Sequence, residues 1–422
     1  MPTAAEKRFT YNPTIGIIVA MVLGIVAGLF VGKPMGEVKF IGDAFFRLIQ
    51  MNMILFVVTQ IIDAVGSLSG EELSSIGLKT IAAFLISSLL ASAWGIACAV
   101  LARPGAGLEN SELVLNATTD LTATTTTVQD TILGFLPTNA LNVMANGMMV
   151  PSIVFSIFLG IAITIYRQDH GGQSRMLDLV RELGDLLLII IRLVMNVAPI
   201  GIFCYVSASI GTLGLEILIP IGRYILVLFV GTLIFTIAWL IVVSVYCRLP
   251  IGSLFKKMIP MTVMAAATIS SAVTLPLEME DAKRKIGLRD RIADLALPLG
   301  MPLNSNGSAL HMAVTAIFVA QMYGVEFQGG VLAYVCVIAL MLSLANAVAP
   351  GATLISLTML MPALGLPLEA VAILGGLEYI VAAIRTTLNV NSDVFCALLV
   401  AKSEDGIDYD IFYGKKKYQE AV

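Results

Sequence analysis

Charge is what this chain has least of. Asp, Glu, Lys and Arg make up 13 % of its 422 residues, about half the share of an ordinary soluble domain. That excludes a large water-facing surface. Histidine is almost missing: His170 and His311 are the two in the chain. Neither has a ligand-spaced partner, and no HExxH, Ser–His–Asp set or acidic pair with room for a water occurs, which argues against an enzyme. The five cysteines (Cys98, Cys204, Cys247, Cys336, Cys396) are scattered, without CxxC spacing. They read as small buried hydrophobes rather than disulfides or metal ligands. No basic patch interleaved with aromatics offers a nucleic-acid surface. The opening MPTAAEKRFTYNP lacks a secretory cleavage pattern, so the N-terminus is expected on the cytoplasmic side.

What is abundant is hydrocarbon. Hydrophobic residues are 58 % of the chain, and 422 residues have room for about eight to ten membrane-embedded segments of roughly 20 residues each. Apolar runs predict spans over residues 14–32, 40–66, 78–101, 183–209 and 219–247, and a fourth, segmented span over 135–163, where Pro and Gly interrupt the run. Residues 103–132 form a polar, Thr-rich insert that reads as a solvated linker.

Lys and Arg are distributed by side of the membrane. Basic clusters at Lys7/Arg8, Arg167/Arg175/Arg181, Arg248/Lys256/Lys257, Lys283/Arg284/Lys285/Arg289/Arg291 and Lys402/Lys415/Lys416/Lys417 fall on one side, the cytoplasmic one. Residues 259–281 lie between two such clusters, so a full crossing would carry one of them outside. The expectation is a re-entrant hairpin with its tip at ISSAVTLP. After a seventh span over 292–322, residues 331–362 are flanked by loops with no basic residue, which predicts a second hairpin from the opposite side with its tip at ANAVAPGA. The competing reading is two ordinary spans. Hairpin plus span, followed by inverted hairpin plus span, is the architecture of secondary transporters. The fold class expected is therefore an all-α integral membrane protein with eight transmembrane helices, two re-entrant helical hairpins and inverted repeats.

Residues 371–404 are apolar enough to enter a bilayer yet carry Glu378, Arg385, Asn389 and Asp393. At 100° per residue, positions 378, 382, 385, 389 and 393 share one narrow helix face. An Arg at the bilayer centre costs about 2.5–3.5 kcal/mol on the most lenient scale, so it is expected to face a protein-lined polar cavity. There it either grips a carboxylate as a bidentate fork or pairs with Glu378 two turns away. LPLGMPLNSNGSAL (297–310) is too polar and too rich in Pro and Gly for a continuous lipid-facing helix. Backbone unwound there frees carbonyls for a hard cation, and Asp393 supplies an anionic oxygen. The alternative is a kink whose Asn side chains bond neighbouring helices. Ser270 and Ser271 at the first tip offer helix-end N–H groups to an anion. His311, one turn after Ser308, is read either as a proton shuttle or as a core imidazole. Arg47, Arg192 and Asp63 read as interfacial or inter-subunit.

With FLPTN (135–139), APIGIF (198–203), SSAVTLP (270–276), LPLGMPLNSNGSAL (297–310), APGAT (349–353) and RTTLNVNSD (385–393) in order, the chain resembles the dicarboxylate/amino acid:cation symporter family, the glutamate-transporter-like carriers, from about residue 12 to 404. The resemblance implies a homotrimer; a cell inner membrane is expected, with both termini cytoplasmic by the bias of Lys and Arg. The resemblance also implies scaffold spans at 1–76 and 135–215, a third span and polar loop at 77–134, a transport domain at 216–404 moving as an elevator, and a cytoplasmic tail at 405–422. It assigns substrate contacts to Arg385, Thr386, Asn389, Ser271 and Ser308, and one sodium site to Gly300, Asn304, Asn389 and Asp393.

The departures bear on substrate. Where the family's amino-acid carriers place an Asp three residues before the Arg to hold an ammonium, this chain has Ala382. Glu378 remains able to take that part. Asn-Met-Asp-Gly-Thr reads Asn304-Ser305-Asn306-Gly307-Ser308 here, an acid and a thioether fewer, and Pro302 replaces another ligand position. An ungapped reading puts the third-span contributors to a deep sodium site at Ser88 and Ala91. Fewer buried anions are expected to hold fewer cations, so one sodium site is expected to remain, with a proton as the other candidate. The reading is a symporter that takes up a small carboxylate, a C4-dicarboxylate first and an amino acid second; a passive anion pore is the alternative from another class.

Overall fold

A computed structural model describes residues 13–68, 75–107, 133, 136–213, 218–344, 352–375 and 377–418. Secondary structure among them is helical, apart from one isolated bridge between Leu288 and Ile407. The first helices are α1 (Pro13–Val31), α2 (Lys39–Gly66), α3 (Ser75–Ala102), the short α4 (Ala140–Ala145) and α5 (Met149–Asp169). Then come α6 (Arg175–Asn196), α7 (Ala198–Leu213), α8 (Leu218–Cys247), α9 (Ile251–Thr268) and α10 (Ser271–Asp281). The chain continues through α11 (Asp290–Leu303), α12 (Asn306–Met322), α13 (Gly330–Leu344), α14 (Ala352–Ala363), α15 (Glu369–Gly375), α16 (Glu378–Ser403) and α17 (Tyr409–Phe412).

The segmented fourth span is present as α4 and α5, separated at Gly147, whose φ of +76° suits glycine. The fifth span is corrected. Residues 183–209 are not one rod, because Val197 parts α6 from α7 just before Pro199. α6 begins earlier, at Arg175, and is amphipathic: Arg181 on it binds Asp63 of α2 through Nε at 2.7 Å. Asp63 thus has an intrachain partner, and the interfacial reading is not required for it.

The helices pack in two groups. In the first, α1 lies along α7, and α2 against α5, α6 and α7. Small residues allow the approach: a Cβ on Gly28 would sit 2.7 Å from the Ser207 carbonyl oxygen. In the second, α3 lies along α12, and α16 is surrounded by α8, α9, α11, α12 and α3. Again glycine sets the spacing, since a Cβ on Gly95 would meet the Leu310 carbonyl oxygen at 2.7 Å. The main contacts joining the groups run from α14 and α15 to α2 and α7.

Both expected hairpins have their arms. α9 packs on α10, and the turn between them holds Ile269 in the left-handed region at φ 53°, with Ser270 capping α10 by accepting from the Val273 N–H at 3.3 Å. α13 packs on α14; of the tip expected at ANAVAPGA (345–352), residues 345–351 lie outside the described residues and Ala352 opens α14. The base of the first hairpin is tied to the C-terminal segment by Arg289 N–H to Gly406 O (2.9 Å) and Asp408 N–H to Gly287 O (2.7 Å). The Lys79 ammonium bonds Glu404 just past α16 and holds its carboxyl below the usual carboxylate range.

Among the described residues three helices are long and apolar enough to cross a membrane, Ile76–Ala102, Pro151–Asp169 and Ile219–Cys247. Large apolar side chains such as Phe30, Leu101, Leu226, Ile237 and Val245 point outward. So much exposed hydrocarbon suits lipid rather than water.

Candidate substrate and cation site

The site begins where two prolines end a helix. Pro298 and Pro302 lie in the last turns of α11, and Asn304 (φ −113°, ψ 73°) and Ser305 (φ −100°, ψ 54°) leave helical geometry before α12 starts. The carbonyls at the end of α11 and the N–H groups at the start of α12 therefore lack helical continuation. Asn304 uses one by donating its own N–H to Gly300 O at 2.8 Å.

α16 passes this break closely because of two glycines. A Cβ on Gly300 would lie 2.6 Å from the Asp393 carboxyl carbon, and one on Gly307 only 2.0 Å from the Arg385 carbonyl oxygen. Asp393 is buried and accepts from Asn304 Nδ2 at 2.7 Å. Asn389 accepts from the Gly307 N–H at 2.7 Å. Across the same break stands α3. Ser88 donates to Asn306 Oδ1 at 2.6 Å, and the Ser87 hydroxyl lies 3.1 Å from Asn304 Oδ1 and 3.1 Å from Asn306 Oδ1. Its single hydrogen serves one acceptor at a time. Three elements thus converge: Asp393, Asn304, Ser87, Asn306 and Ser88 form one buried oxygen-rich chain.

Arg385 is 6 % exposed. Thr386, Ala382 and Ser308 are buried beside it in sequence or across the α12–α16 contact. Eight residues separate Arg385 from Asp393, roughly 12 Å along a helix. At that separation the two charges attract by only ~1.4 kcal/mol at an effective dielectric of 20. That is too little for either to neutralise the other. The oxygen donors around Asp393 suit a hard cation, and the guanidinium suits an anion.

Of the expected face, 385, 389 and 393 are therefore brought to the helix break together with Gly300, Asn304 and Gly307, while Ala382 and Ser308 are buried. The side chains of Glu378 and Arg192 lie outside the described residues, so the rival pairing of Arg385 with Glu378 is not described. Ser270 and Ser271 are at the hairpin turn, but no hydrogen bond among the described residues joins them to α16, and the Ser270 hydroxyl caps its own helix.

Two features go beyond the sequence reading. Ala91 is buried with a methyl to offer; the third-helix partner beside Ser88 is Ser87, adjacent in sequence and one position out of the ungapped alignment. Two further acids are buried beyond those the sequence reading singled out: Asp281, paired with Lys285 at 2.5 Å, and Glu278. Glu278 on α10 is 1 % exposed, its Oε1 has no hydrogen-bond partner among the described residues, and the Asp393 charge acts on it. An acid within the otherwise apolar VTLPLEM is its signal, obscured by the neighbouring acids Glu280 and Asp281.

Comparison with known proteins bears on the whole length. The model of the sodium:dicarboxylate symporter family matches residues 14–403. A proton/glutamate-aspartate symporter of Escherichia coli (strain K12) is 28 % identical over 418 residues, covering 95 % of each chain. One of the same description from Bacillus subtilis (strain 168) is 29 % identical over 92 % of this chain and 94 % of its own. A C4-dicarboxylate transport protein of Sphingopyxis alaskensis is 26 % identical, covering 96 % of this chain and 92 % of its own. With the family's model spanning all but the two ends, the chain belongs to the sodium:dicarboxylate symporter family, a family of membrane carriers and not of enzymes.

Proposed function

We propose that this protein is a secondary active symporter that couples inward movement of a cation, Na+ first and H+ second, to uptake of a C4-dicarboxylate such as succinate, fumarate or malate. One observation carries the reading. A buried helix holds a guanidinium and a carboxylate about two turns apart, beside a helix break whose Asn304 bonds the carboxylate and whose asparagine oxygens meet the hydroxyls of Ser87 and Ser88. Arg385 takes the substrate carboxylate, with Thr386, Ser308, Asn389 and the tip serines Ser270 and Ser271 around it. Asp393, with Asn304, Asn389 and the Gly300 carbonyl, takes the cation. Glu278 adds a second anion on the cation side. Asn389, held by the Gly307 amide, stands between the two and links them.

The preference for a dicarboxylate rests on Ala382, which offers an ammonium nothing. The relatives named as glutamate-aspartate symporters favour a second reading, an acidic amino acid, with Glu378 taking the amino group. The membrane arrangement proposed is eight spans and two re-entrant hairpins in the inner membrane with both termini cytoplasmic. It is a homotrimer in which the group around α1, α2, α5, α6 and α7 stays fixed while the group around α16 moves.

A binding screen separates the substrates. Thermal unfolding of the detergent-purified protein is followed with C4-dicarboxylates, aspartate, glutamate and neutral amino acids, each with and without Na+. The expected result is stabilisation by a dicarboxylate that requires the cation. Stabilisation by aspartate or glutamate alone would establish the second reading, and none by any carboxylate would reject both.

A further inference from the structure

His311 lies on α12 one turn beyond Gly307, and so on the same face of that helix. That face is turned to α16. Asn304 reaches Asp393, and Gly307 reaches Asn389 and the backbone of Arg385. Rising numbers on one helix meet falling numbers on the other, so the two run antiparallel. Four residues past Gly307 is about 6 Å further, which carries His311 away from Asp393 to the level of Ala382 and the Arg385 side chain. The charge of Arg385 acts on the imidazole there.

The imidazole is 0 % exposed, and neither Nδ1 nor Nε2 has a hydrogen-bond partner among the described residues. Its neighbours on α12, Leu310, Met312 and Val314, fill their places with hydrocarbon. A core imidazole is ordinarily held through at least one nitrogen, and two buried, unsatisfied ring nitrogens destabilise the empty protein. A ligand that brings an acceptor to this point relieves that cost.

We propose that His311 is a substrate contact that determines specificity: one ring N–H donates to the carboxylate that Arg385 grips. This rests on the carboxylate reading above and deepens it. A carboxylate accepts the Arg fork and still has lone pairs for a third donor, whereas an amide in the same place turns its own NH2 toward two donors. The pair Arg385–His311 therefore selects a dianion over its half-amide.

Uptake of succinate, with succinamate as competitor, into proteoliposomes of the wild type, His311→Leu and His311→Gln tests this. His311→Leu is expected to raise the KM for succinate about tenfold or more and to narrow the preference over succinamate. His311→Gln, which keeps a donor, restores part of both, and the cation dependence is unchanged in each. A wild-type KM and preference in His311→Leu would overturn the proposal. A second readout needs no change at the site. With two histidines in the chain, 15N-histidine labelling of His170→Gln protein reports His311 alone. Succinate is expected to shift its ring signals, and signals unmoved at saturating succinate overturn the contact even if His311→Leu does not fold. If the wild type accumulates succinate and neither readout responds, the inference fails by itself. If the wild type accumulates no carboxylate, the inference falls together with the reading it rests on.

Discussion

Asp393 is placed by what its neighbours lack. The carboxyl carbon stands 2.6 Å from where a Gly300 side chain would begin, so Gly300→Ala must displace the carboxylate and break the 2.7 Å bond from Asn304. That change keeps every charge, yet it is expected to weaken the dependence of uptake on Na+ as Asp393→Asn does, by about tenfold or more in the cation concentration for half-maximal rate. Hydrogen bonds to charged groups contribute about 1.5–3 kcal/mol. Unaltered cation activation in both variants would remove Asp393 from the cation path. Gly307→Ala is of another kind. Its Cβ would fall 2.0 Å from a backbone oxygen of α16, which no rotamer relieves, and loss of the folded protein on gel filtration is expected. Most of these residues are legible in the sequence, because a polar group set in an apolar run is costly unless a ligand or a neighbouring helix meets it. Ser87 and Glu278 are not: a hydroxyl one position out of register and an acid followed by two more acids look like ordinary helix and turn until α3 and α10 are set against α16.

Elements break where Pro, Gly and Asn interrupt hydrocarbon. The α4–α5 and α11–α12 breaks and the α9–α10 turn all lie within the stretches expected from composition. The α6–α7 break is not legible in this way, since a run of Leu, Ile and Val leads up to it and the amphipathic first turns of α6 resemble a loop with charges. At the first hairpin the turn is made by Ile269 at φ 53° rather than by glycine. For a β-branched residue this conformation costs on the order of 1–2 kcal/mol. Ile269→Gly is therefore expected to leave thermal stability equal or higher while slowing uptake, if the strain holds the tip in one shape. A lower unfolding temperature would show that the Ile side chain packs there and that strain is not the dominant effect.

At the scale of the molecule, periodicity and charge bias indicate a membrane protein but not which helices touch. That depends on close approaches, such as α1 on α7 and α3 on α12, made at glycines spread through the chain. The two groups of helices meet mainly through α14 and α15 against α2 and α7, and a Cβ on Gly375 would lie 3.4 Å from Ile202 Cδ1. If the α16 group moves as a body, a mercuric cross-link between Ile202→Cys and Gly375→Cys in a protein with its five native cysteines replaced is expected to stop uptake and spare substrate binding. Uptake at the uncross-linked rate would place the moving boundary elsewhere. The central claim, that Arg385 meets a charged passenger driven by a cation, is tested most directly by accumulation of labelled succinate in proteoliposomes under an inward Na+ gradient, wild type against Arg385→Ala. The account predicts accumulation above the outside concentration that collapses with the gradient in the wild type, and none in the variant. Succinate that only equilibrates in the wild type, or accumulates equally without the guanidinium, would contradict it.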